Sequence, residues 1–79
     1  MRLDRDTELQ HLNEAETHIC DAERRIATLA EHRDRLRADG HDTREAQRLV
    51  VIMEDVLATL RAHRSLIVDQ IGRIDAGEV

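Results

Sequence analysis

The chain has 79 residues and no proline, tryptophan, tyrosine or phenylalanine, so Leu, Ile, Val, Met and Ala are its only core material. That composition suits long helices and argues against a sheet built on aromatic residues. A net charge of −5, shared between both halves without a basic lobe, disfavours nucleic acid and anionic membranes as partners.

All 12 basic residues are arginines, and acidic residues surround every cluster of them. GC-rich codon usage explains this bias more simply than phosphate recognition does. The longest run of large apolar residues, Leu49 to Met53, is too short to span a bilayer, and the N-terminus carries no apolar signal segment. A cytoplasmic location is expected. The lone Cys20 leaves no partner for an intramolecular disulfide and no cysteine set for a zinc finger, and it reads as an inert thiol.

In chain order, the first predicted element is a helix over about residues 5 to 39. Its apolar residues recur as Leu12, Ala15, Ile19, Ala22, Ile26, Leu29 and Leu36, interrupted by Arg33. This alternation of three and four marks a coiled-coil-like seam. His11, His18 and His32 repeat at multiples of seven residues, with Arg25 completing the ladder, and border one edge of the seam.

A turn is predicted at residues 40 to 42. Gly40 supplies the left-handed conformation that closes a helix, and Asp42 with Glu45 three residues later reads as a capping box. A catalytic His41–Asp42 pair would need a nucleophile and a pocket, whereas a turn needs only these residues.

The second helix is predicted over about residues 43 to 76. Its seam is expected at Ala46, Leu49, Met53, Val56, Leu60, Ile67 and Ile74, with His63 at a core-type position. Val50, Leu57 and Ile71 flank that seam on one side, and Ile52 and Leu66 on the other. Ala58, Ala62, Ser65 and Gly72 form a stripe of small residues facing away from it.

Two helices of about 33 residues, each ~50 Å long, with so short a connection pack as antiparallel neighbours. Leu36 then lies near Ala46, Leu29 near Met53, Ala22 near Leu60 and Ala15 near Ile67, so small residues of one helix meet large ones of the other. The fold class is therefore all-α: a single domain over residues 1 to 79, formed as a two-helix hairpin.

One facing helix covers only part of so broad an apolar face. A dimer forming a four-helix bundle is expected, with Val50, Ile52, Met53, Leu57, Leu60, Leu66, Ile67, Ile71 and Ile74 as interface residues.

Two chemistries deserve weighing against this. His18 lies level with His63, and Glu14 stands one turn before His18, so His11, Glu14, His18 and His63 are the candidate metal ligands. Histidines seven apart stand ~10 Å from one another along a helix, so the ladder alone cannot chelate. Glu8-Leu9-Gln10-His11 has the Glu-x-x-His form of bundle di-iron sites, but Gln70 and Ile74, not carboxylates, lie opposite. Nucleophilic catalysis lacks a base and an orienting group beside Ser65 or Cys20, and no glycine-rich phosphate loop is present. No enzyme activity and no cofactor are expected.

The segments His18-Ile19, Glu23-Arg24-Arg25-Ile26, Gly40-His41-Asp42-Thr43 and His63-Arg64-Ser65-Leu66-Ile67 together resemble a group of short, uncharacterised proteobacterial helical-hairpin proteins. The GHDT turn followed by HR-x-LI carries most of that resemblance, which spans most of residues 12 to 70. It implies a bacterial cytosolic helical hairpin and brings no activity, cofactor or partner with it. The reading from sequence is a non-catalytic structural or protein-protein interaction module acting through self-associating helix faces. The alternative is a small metal-binding helical bundle using His and Glu side chains.

Overall fold

The computed structural model describes residues 4 to 78, which form two α-helices, α1 (Arg5–Ala38) and α2 (Arg44–Asp75). No strand occurs among the described residues. Residues 1 to 3 and 79, included in the single-domain reading, lie outside them. The hairpin is 59 Å long and only 17 by 15 Å across, so each helix runs nearly its whole length.

Helix α1 opens at Asp4, whose carboxylate accepts the Asp6 N–H at 3.1 Å and the Thr7 hydroxyl at 3.0 Å. It closes as the sequence predicts. Gly40 takes φ +77°, its N–H donates to the Arg37 carbonyl at 3.1 Å, and the His41 N–H donates to the Leu36 carbonyl at 2.8 Å. These two bonds satisfy carbonyls that the helix end would otherwise leave open. A methyl group at Gly40 would meet no atom within 4 Å. Gly40→Ala should therefore cost about 1–2 kcal/mol through backbone strain alone. Urea melts followed by circular dichroism should show the lower midpoint with an unchanged slope.

The start of α2 corrects the expected capping box. Thr43, not Asp42, is the N-cap and makes no side-chain cap bond. The third helical residue is then Ala46, which has no carboxylate to reach back, so Glu45 cannot complete a box. Asp42 Oδ1 instead accepts the Arg44 N–H at 3.0 Å, and the Arg44 guanidinium closes on the same carboxylate at 2.8 Å.

The guanidinium hydrogen bonds, and then the backbone one, hold the Asp42 carboxyl below the usual aspartate range. Because the folded value is depressed, this contribution is fully present above pH ~3.9 and is lost as pH falls through the folded value. An NMR titration of the Asp42 carboxyl should give a midpoint below ~3.9, and Arg44→Ala should raise it. An unchanged midpoint in that variant would contradict the assignment.

Packing between the helices follows an alternating spacing of three and four. On α1, Ala15, Ile19 and Ala22 are buried, and Leu12, Ile26, Leu29 and Leu36 half-buried, as predicted. The row extends to Glu8 and Arg33, which the apolar pattern passed over: Glu8 is only 6% exposed. Arg33 lays its stem along the seam and donates to Gln47 Oε1 at 2.8 Å.

On α2 the seam is rotated by one residue from the expected one. Val50 and Leu57, expected on a flank, are 4% and 9% exposed, whereas Leu49 and Val56, expected inside, are 44% and 41% exposed. The physical reason is continuity. A row through Leu49 and Val56 runs on into His63 and Gln70. The row through Val50 and Leu57 continues to Ile71 and joins Ala46, Met53, Leu60, Ile67 and Ile74 over the whole helix. Its polar members, Thr43 and Arg64, lie where solvent can be reached, and Arg64 pairs with Glu16 at 3.1 Å. His63 is accordingly exposed rather than in the core.

Ile19, Ala22 and Leu57 form the centre of the core, with Ile26, Met53 and Leu60 packed against them. Small Ala22 opposite Leu57 and Leu60 lets the backbones approach closely. Arg5 to Asp75, Glu16 to Arg64 and Arg33 to Gln47 are bonded across the hairpin. These pairs establish the antiparallel order and lie within two residues of the predicted levels.

Candidate functional site

The two long edges of the hairpin differ in kind. Gln47 and Asp75 share one column of α2, whose members recur every seven residues, and Arg5 and Arg33 share one column of α1. Glu16 and Arg64 flank the same columns, so the cross-helix bonds among the described residues, Arg5 to Asp75, Glu16 to Arg64 and Arg33 to Gln47, lie on a single edge. An open groove of about 470 Å³ on that edge is lined by Glu16, Ile19, Cys20, Arg61, Arg64 and Ser65.

The opposite edge carries His11, His18, Arg25 and His32 from α1 and Leu49, Val56, His63 and Gln70 from α2. Among the described residues, no hydrogen bond or ion pair crosses the hairpin there. A shallow groove brings His18 and Arg25 together with Met53, Val56 and Leu60, and a neighbouring one brings Arg25 and Leu29 together with Leu49 and Met53.

Next to this edge, on the outer surface of α2, the same three-and-four spacing appears a second time. Leu49, Ile52, Val56, Thr59, His63 and Leu66 form a continuous exposed row. Ile52 is 49% exposed and Leu66 is 62% exposed. A shallow depression at its centre is lined by Ile52, Asp55, Val56, Thr59 and Leu60. Helix α2 thus has two apolar rows, of which α1 covers one.

The predicted interface residues divide between these rows. Val50, Leu57 and Ile67 are buried, and Met53, Leu60, Ile71 and Ile74 half-buried, all within the hairpin. Only Ile52 and Leu66 of that set are exposed. The row also takes in Leu49 and Val56, which the sequence reading assigned to the hairpin seam. The signal that identifies them is that Leu49, Val56 and His63 lie one residue before Val50, Leu57 and Arg64 throughout.

His11, Glu14, His18 and His63 are all exposed and do not converge. Among the described residues, no group of three or more His, Cys, Asp or Glu side chains is placed to hold a metal ion. The Glu-x-x-His segment instead sets Glu8 Oε1 3.6 Å from His11 Nδ1 within one helix. Cys20 is exposed, as are Ala58, Ala62, Ser65 and Gly72 of the small-residue stripe. No helix among the described residues is long and apolar enough to cross a membrane.

Compared with protein-family models, curated proteins and solved structures, the chain has no match.

Proposed function

We propose that the protein is a non-catalytic helical hairpin that self-associates as a homodimer, forming a four-helix assembly that serves as a structural or protein-protein interaction module. One observation carries this reading: the row Leu49, Ile52, Val56 and Leu66 lies exposed along α2, beside an edge that no polar bond bridges among the described residues. A row in which four of six exposed members are large and apolar is suited to docking against another surface. Among the described residues, six of the seven exposed large hydrophobic side chains lie on α2 and only Leu9 on α1, which makes α2 the helix through which copies meet. The evenly shared negative charge disfavours nucleic acid and anionic membranes as partners, and a cytoplasmic location is part of the same proposal. Its resemblance to short proteobacterial hairpins belongs to the same proposal.

Self-association links folding to concentration, because only the folded hairpin presents the row. Thermal melts at ten- and hundredfold different concentrations should move the midpoint upward with concentration. A midpoint independent of concentration would contradict the proposal.

A further inference from the structure

We infer that the occupant of the exposed row is the same row of a second copy, with the two α2 helices antiparallel about a twofold axis between Leu57 and Ala58. The inference rests on the self-association reading and adds its orientation and register.

Two properties of the row point to this arrangement. The first is spacing. From Leu49 through Ile52, Val56, Thr59 and His63 to Leu66 the steps are three, four, three, four and three, which read the same in both directions. A row of that form is self-complementary when turned end for end, as a twofold interface requires. Leu49 then faces Leu66 of the second copy, Ile52 faces its His63, and Val56 faces its Thr59. Each polar member meets an apolar one, and leucine pairs close both ends.

The second property is charge. The column bordering the row on its outer side contains Arg48, Asp55, Ala62 and Asp69. In this register Arg48 lies beside Asp69 of the second copy, twice by symmetry, and Asp55 lies beside Ala62. Sliding one copy by seven residues either way sets Asp55 against Asp55, or Asp55 against Asp69. A parallel pairing stacks Thr59 on Thr59 and His63 on His63 and separates Arg48 from Asp69. Among the registers that keep most of the row covered, the antiparallel one through Leu57 and Ala58 joins opposite charges without opposing like ones. Arg48 and Asp69 are both exposed, and neither has an ion-pair partner among the described residues of its own chain. On the column bordering the row's inner side the same register places Met53 beside Leu60 of the second copy, extending the apolar contact.

A charge-reversal cycle measured by sedimentation tests the register. Arg48→Asp and Asp69→Arg, each alone, should weaken the dimer about tenfold by placing like charges together, and the double variant should recover wild-type affinity. Helicity measured alongside should stay at the wild-type level, since both positions are exposed. Single variants that dimerise like wild type, or a double variant no better than the singles, would overturn the register while leaving self-association in place. A monomeric wild-type protein would overturn self-association itself, and this inference with it.

Discussion

Replacing Leu57 by alanine should destabilise the hairpin by about 2–5 kcal/mol, through the cavity left at the centre of the core. Leu57 is 9% exposed and packs with Ile19 and Ala22 at the centre of the core. The alanine opposite cannot extend into the space a lost leucine leaves, so the cavity stays open. A narrow two-helix core has little stability to spare, and the variant should lose most of its helicity at micromolar concentration. Leu49→Ala removes the same side chain eight residues away at a 44% exposed position and should change the stability of the hairpin by only about 0.5 kcal/mol. Urea melts of the two variants, followed by circular dichroism at concentrations low enough that the protein is monomeric, make the comparison. The reverse order of effects would place Leu49, not Leu57, in the seam.

Replacing Ile52 and Leu66 together by glutamate should abolish dimerisation. Both side chains are about half exposed in the hairpin, so burial against a second copy removes roughly half of each from water, or ~1 kcal/mol per side chain. A symmetric dimer contains four of them. The combined loss of ~4 kcal/mol weakens association roughly a thousandfold even before the desolvation of the new carboxylates. Unlike Leu57→Ala, this pair leaves the hairpin seam intact. Mass should fall before helicity does, and sedimentation with circular dichroism on the same samples separates the two. A dimer of unchanged affinity would remove the row from the interface.

The two variants also mark where the sequence was legible. The turn was readable because Gly40 has one job that other residues do badly, and its φ of +77° with the two bonds around it is what the chain required there. Helix α1 was readable because it has one apolar stripe and a polar remainder, so its periodicity admits one answer. On α2 the pairs Leu49–Val50 and Val56–Leu57 put apolar residues side by side on two adjacent stripes. Periodicity within one helix cannot choose between them, and the choice was made by the polar residues further along, Arg64 being tolerable at the seam where His63 and Gln70 together are not.

Glu8 and Arg33 were missed for a related reason: their long stems pack while their charged ends reach His11 and Gln47. The capping box failed by a single residue, since moving the N-cap from Asp42 to Thr43 moves the third helical position from Glu45 to Ala46. The candidate ligands His11, Glu14, His18 and His63 are related only by spacing along the chain. Spacing puts side chains on one face without bringing them to one point.

Sedimentation equilibrium of the wild-type protein at micromolar concentration, read by refractive index because the chain lacks tryptophan and tyrosine, tests self-association most directly. A reversible species of twice the 9.1 kDa chain mass, dissociating on dilution, is expected. A well-folded helical monomer across the whole concentration range would contradict it.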